Sequence, residues 1–194
     1  MDKDVADFAP TNQWQNLVSE ASKVCQISLS EDLESYLVFL LMRFTNSPQM
    51  AQNIMALEFL QSLNKLGSQK SQALRDVGDQ CLLYSGLFPG RAKRRLVRVS
   101  YYVNIGKSAY LSLSNQGRYT DNNLFADLSA KFVQLMDILQ SMREVDNSSG
   151  ALDVMQAAEV WHDTGSDHAL NILKKFTINT VTPISGPELP YRKH

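Results

Sequence analysis

The run Phe125-Ala126-Asp127-Leu128-Ser129-Ala130-Lys131-Phe132-Val133-Gln134-Leu135-Met136-Asp137-Ile138-Leu139-Gln140-Ser141-Met142 decides how the rest of the chain is read. Phe125, Leu128, Phe132, Leu135, Leu139 and Met142 follow one another at spacings of 3, 4, 3, 4 and 3. A helix gathers such a set on one face, like the seam of a coiled coil, whereas the two-residue period of a strand would scatter it. Thr120 or Asp121 stands in front as the N-cap, and Asn147-Ser148-Ser149-Gly150 reads as the turn behind.

Helical periodicity extends outward in both directions. Trp14, Leu17, Val18, Ala21, Val24 and Cys25 share a face of a first helix. Leu33, Tyr36, Leu37, Leu40, Leu41 and Phe44 share a face of a second, with Val38, Phe39 and Met42 filling its other side. Ser28 and Ser30 beside Glu31 and Asp32 suit the positive end of that second helix. Asn46-Ser47-Pro48 reads as a stop followed by a new start. The third helix then carries Met50, Ile54, Leu57, Leu60 and Leu63 and is closed by Gly67. A fourth runs from about Ser71 to Pro89-Gly90, with Leu74, Val77, Cys81, Tyr84 and Phe88 inward.

A fifth helix is predicted from about Arg94 to Ser114. Residues 97–103 have local strand propensity, but no neighbouring segment offers a strand to pair with. Residues 151–163 and 166–176 give two further helices, separated by Thr164-Gly165-Ser166, a stop followed by a cap. Pro183, Pro187 and Pro190 make the tail extended. The prediction is an all-α single domain over 1–177, a bundle of seven to eight helices, with an extended C-terminal tail over 178–194.

Composition agrees. The 194 residues are 44% hydrophobic and 20% charged, enough apolar matter for one core and too much for disorder. Two cysteines exclude a disulfide framework and a Cys-rich zinc site. The longest apolar run, Tyr36 to Phe44, is broken by Arg43 and is about half a bilayer span. No membrane partner is expected. With an acidic N-terminus and no apolar stretch behind it, a reducing cytoplasm is the expected compartment.

The net charge of −1 hides an asymmetry. Residues 1–90 hold six basic and ten acidic side chains, and residues 120–194 hold six and ten again, so each part is net −4. Between them Arg91, Lys93, Arg94, Arg95, Arg98, Lys107 and Arg118 stand without a single acid, net +7. On a helix that starts early, Arg91, Arg95, Arg98 and Tyr102 form one stripe, with Arg94 beside it. Like charges this close repel by a few tenths of a kcal/mol per pair unless something neutralises them. The chain's own acidic helices could do so, and so could an anionic partner, for which arginine forks are well suited. Tyr101, Tyr102, Tyr110 and Tyr119 crowd the same segment, as core residues with satisfied hydroxyls or as the lining of an interface. The small residues Gly106, Ser108, Ala109 and Ser112 let another backbone come close.

Other patterns fail on their own chemistry. Glu159-x-x-His162 is half of a carboxylate-bridged di-metal motif whose second half is missing. His162, Asp163, Asp167 and His168 are near enough in sequence for a single metal, yet helix-end roles account for both aspartates. No cofactor is expected. Cys25 and Cys81 sit on apolar stripes with no histidine beside them in sequence, so both read as inert small hydrophobes. No nucleophile elbow, phosphate loop, dinucleotide fingerprint or zinc-finger pattern occurs.

The order Gly78-Asp79, Ser85-Gly86-Leu87-Phe88, Arg94-Arg95, Tyr101-Tyr102, Gly106 and Ala109-Tyr110 resembles a segment of an uncharacterised family of small bacterial, mainly proteobacterial, cytoplasmic helical proteins. The likeness covers about residues 78–110. It implies a bacterial origin and a shared local structure, and it brings no activity and no catalytic residue. Leu87 stands where that family has an aromatic and Arg98 where it has an acid. Asp79 and the arginines past the Pro89-Gly90 turn could also meet as an internal ion pair.

The functional expectation is a non-enzymatic helical interaction or self-association module. Its contact residues would be Arg91, Arg94, Arg95, Arg98, Tyr101, Tyr102 and Tyr110, facing an acidic protein partner or a second copy in a homo-oligomer. The alternative is a binding protein or enzyme with an Arg/Tyr-lined pocket for a small anionic ligand. A nucleic-acid-binding regulator ranks behind both, because five clustered cations give only weak, salt-sensitive binding.

Overall fold

A computed structural model of the chain describes residues 5–46, 55–89, 97–116, 121–145 and 152–180, and every regular element among them is a helix. The nine are α1 (Val5–Val24), α2 (Glu31–Asn46), α3 (Met55–Leu63), α4 (Gly67–Leu87), α5 (Val99–Ser114), α6 (Asp121–Ala130), α7 (Phe132–Val145), α8 (Val154–Thr164) and α9 (Asp167–Thr180).

The helix ends follow from local chemistry. Glu31, Asp32 and Glu34 load the first turn of α2 and Arg43 its last, each on the favourable side of the helix dipole. Asp153 and Gln156 close a capping box at the start of α8. Gly165 ends α8 in the left-handed region at φ 72°, and its N–H bonds back to the Trp161 carbonyl at 2.8 Å. Ser166 then caps α9, its hydroxyl accepting the Ala169 N–H at 3.0 Å.

α4 is the axis of the core. From Val77 to Gly86 every residue is buried, polar ones included. α3, α5 and α7 pack directly on it; α1 lies on α2 and α7, α6 against α2, α5 and α7, and the α8–α9 pair on α5 and α7. Such all-round burial needs close approach, and glycine supplies it. A Cβ on Gly106 would stand 2.5 Å from the Phe132 ring and 2.9 Å from Cys81 Cβ, and one on Gly78 would stand 2.5 Å from the Tyr110 ring. The small residues of α5 therefore divide: Gly106 and Ala109 are buried, while the Ser108 and Ser112 hydroxyls bond back to carbonyls of their own helix.

Several boundaries differ from the sequence reading. The long helix expected over 121–142 is two, α6 and α7, meeting at Lys131 with hydrogen bonds that carry through the junction. Its seam is nonetheless buried from Leu128 to Met142. Gly67 opens α4 rather than closing α3, and α4 begins four residues before Ser71. α9 runs on to Thr180, past the expected start of the tail at 178. The expected turns at Ser47-Pro48 and 147–150, and residues 181–194 with their prolines, lie outside the described residues. On the other side of α2, Val38 is buried but Phe39 is 61% exposed, and Val24, expected on the shared face of α1, also faces outward. No helix among the described residues is long and apolar enough to cross a membrane.

Candidate functional site

The basic segment enters α5 at Arg98. That residue is the N-cap, with extended backbone at φ −81° and ψ 156°, and the helix proper starts at Val99. The stripe of Arg91, Arg95, Arg98 and Tyr102 required a helix running through Arg98, so it is not continuous. Arg91, Arg94 and Arg95 lie outside the described residues. Arg98 reaches back to α8, with Nη1 3.1 Å from the Asp163 carboxylate. The guanidinium side chain is 73% exposed while Asp163 is 10% exposed. Asp163 also accepts from the Ser100 hydroxyl at 3.2 Å and lies 3.0 Å from the His162 ring. The bond to His162 comes first among the contacts that hold its carboxyl below the usual range, followed by Arg98 and Ser100. One exposed pair of this kind contributes at most about 1 kcal/mol.

The tyrosines correct the expected contact set. Tyr102 and Tyr110 are buried in the core. Tyr102 stacks on Tyr84 with ring centres 5.2 Å apart. Tyr110 packs against Phe125 and Phe132 and donates its hydroxyl to Asp79 at 2.7 Å. The physical reason is register: with α5 starting at Val99, residues 102, 106, 109, 110 and 113 form its inward face. Tyr101 is half-buried, and its hydroxyl accepts the Ala56 N–H at 3.1 Å, pinning the first turn of α3 to the first turn of α5.

Asp79, on α4, collects what an Arg/Tyr pocket would have used. Tyr36 donates to its Oδ1 at 2.5 Å and Arg43 to its Oδ2, while Arg75 Nε lies 3.8 Å away and its guanidinium sits over the Tyr36 ring. Burial pushes the Asp79 carboxyl upward against the pull of Arg43, the two tyrosines and Arg75. Burial, then the Asp79 charge, holds the Tyr36 and Tyr110 hydroxyls protonated as donors. The described cationic partners are thus Arg43 and Arg75, from α2 and from one turn earlier in α4.

Two surface features remain. A groove of about 530 Å³ opens beside Arg98, lined by Pro89, Val97, Val99, Leu152, Met155 and Val160, with Asp153 and Glu159 also on it. The second feature is on α3, where Leu57, Leu60 and Leu63 are 52%, 59% and 36% exposed and Leu66, just beyond, is 85% exposed. The sequence reading gave Leu57, Leu60 and Leu63 to its third helix as the apolar periodic residues. In α3 Glu58, Gln61 and Ser62 share one side and the apolar residues the other, but the face turned inward lies between the two, along Met55, Glu58, Phe59 and Ser62. Met55 and Ser62 are the residues it buries.

Among the described residues no three His, Cys, Asp or Glu side chains are placed to hold a metal ion. No family model, curated protein or solved structure matches the chain.

Proposed function

We propose that the chain is a non-enzymatic interaction module that pairs with a second copy of itself through the outer face of α3 and the adjoining start of α5. The leucine row carries this reading. Fully burying one leucine is worth about 1.5–3 kcal/mol, so four partly exposed along one helix and its end forgo part of a gain that a partner surface can recover. Charge favours a second copy as that partner: the net +7 of residues 91–119 answers the net −4 on either side of it, so one copy's basic segment matches another's acidic surface. The Ala56–Tyr101 hydrogen bond keeps the leucine row next to the helix that follows the basic segment. Two such faces related by a two-fold axis would each supply both halves of the contact.

Sedimentation velocity on the full chain tests this. At about 50 μM in low salt we expect a dimer, since micromolar affinity needs only about 8 kcal/mol. Leu57→Glu with Leu60→Glu should give a monomer of unchanged helicity. Arg94→Glu with Arg95→Glu should weaken the dimer and remove its salt dependence. A wild-type monomer under these conditions overturns the reading. Saturable thermal stabilisation of that monomer by one small anion would move the anionic-ligand alternative ahead, and oligonucleotide binding lost steeply with salt would favour a nucleic-acid role.

A further inference from the structure

The leucine row is a ridge, and the same chain carries a groove of matching character. α3 turns Met55 and Ser62 inward, so Leu57, Leu60 and Leu66 stay in water, and Lys65 between the last two is exposed with them. The groove beside Arg98 takes its apolar walls from two places. Val97 and Val99 come from the start of α5, and Leu152, Met155 and Val160 from α8 and the residue leading into it. Met155 lines the groove while 76% exposed, and its unbranched side chain can adapt to whatever packs on it.

Charge distinguishes the two surfaces. The groove carries the exposed carboxylates of Asp153 and Glu159. Asp153 is engaged by the capping box of α8, and the Arg98 guanidinium is held by Asp163. Among the described residues the side chains of Glu159 and Lys65 form neither a hydrogen bond nor an ion pair. One free cation thus stands on the ridge and one free anion on the groove.

We propose that the leucine row of each copy enters the groove between α5 and α8 of the other, with Lys65 facing Glu159 of the partner subunit. This rests on self-association through α3 and names the surface that receives it. The apolar contact supplies the affinity, and the opposite charges fix the orientation. Position favours closure at two copies. The hydrogen bond from the Ala56 N–H to the Tyr101 hydroxyl, 3.1 Å long, pins the first turn of α3 to the first turn of α5, and the groove opens at that same end of α5. Ridge and groove are therefore neighbours, so a two-fold axis can make the contact twice, ridge to groove and groove to ridge.

Sedimentation velocity on the full chain, in low salt over a concentration series up to about 50 μM, tests the proposal. Met155→Glu should give a monomer, and circular dichroism should show unchanged helicity because the side chain is already exposed. Lys65→Glu and Glu159→Lys each set like charges against one another at both contacts, so each should weaken the dimer about tenfold. An equimolar mixture of those two variants restores opposite charges at both contacts and should dimerise as tightly as wild type. Damage within one chain would not be repaired by mixing. A dimer that survives Met155→Glu, or a mixture no tighter than either variant alone, overturns the groove as the seat of the row and leaves self-association through α3 standing. A wild-type monomer overturns both.

Discussion

Asp79 illustrates how much one residue can ask of its neighbours. Its carboxylate is 1% exposed, and taking such a charge out of water costs several kcal/mol before any partner is counted. Arg43, Arg75 and the hydroxyls of Tyr36 and Tyr110 offset that cost from three different helices. Removing one side of such a cluster hurts more than the cluster is worth, because the rest stays buried and unpaired. Asp79→Asn should therefore lose about 3–5 kcal/mol, and Tyr110→Phe, which drops one hydrogen bond to a charged acceptor, about 1.5–3 kcal/mol. Urea unfolding followed by circular dichroism checks both, and an Asp79→Asn protein as stable as wild type would show that the cluster is energetically idle. The sequence made Asp79 visible as a candidate for an internal ion pair. It did not reveal Arg43 or Tyr36, because only the folded chain brings those α2 side chains to the α4 carboxylate.

Among the elements, the contact between α4, α5 and α7 is set by glycines. Alanine in place of a mid-helix glycine ordinarily gains about 1 kcal/mol through backbone entropy. At Gly106 the added carbon would meet the Phe132 ring at 2.5 Å and Cys81 Cβ at 2.9 Å, and at Gly86 it would meet Leu139 Cβ at 2.5 Å. Overpacking of this kind costs about 1–3 kcal/mol, so the clash wins. Gly106→Ala and Gly86→Ala should each lower the thermal midpoint by several degrees, about 2–4 °C per kcal/mol in a chain of this size. A midpoint that rises in either variant would mean that α5 or α7 can move outward without loss. The spacing of Phe125 to Met142 was legible because α7 buries one regular seam. α3 was not, because its apolar side is not the side it turns inward: Met55 and Ser62 are buried while Leu57 and Leu60 are exposed.

For the whole molecule, the tie between α7 and α9 makes stability depend on pH. Unfolded, His168 gives up its proton near 6.5; folded, with Cys25 and Glu144 against the ring, it keeps it to about 9. Between those values the native state holds one more proton than the unfolded chain. Its contribution is thus complete below pH 6.5 and is lost as pH rises through 9. That difference corresponds to about 3 kcal/mol for this mostly buried ring. The wild-type thermal midpoint should fall across that window more steeply than that of His168→Gln; parallel curves would show that the contact does not stabilise the fold.

The sequence by itself determined that this protein is helical and where several of its helices start and stop. Those features are local: periodicity, caps and breakers act within a few residues, so they are written in the order of the chain. Tertiary structure alone decided which arginines face Asp79, that Tyr102 and Tyr110 point inward while Leu57 and Leu60 point out, and that His168 meets Glu144. Each of these depends on the register at which one helix crosses another. Register is set by burial summed over all nine helices of the described residues, and no single segment carries that information.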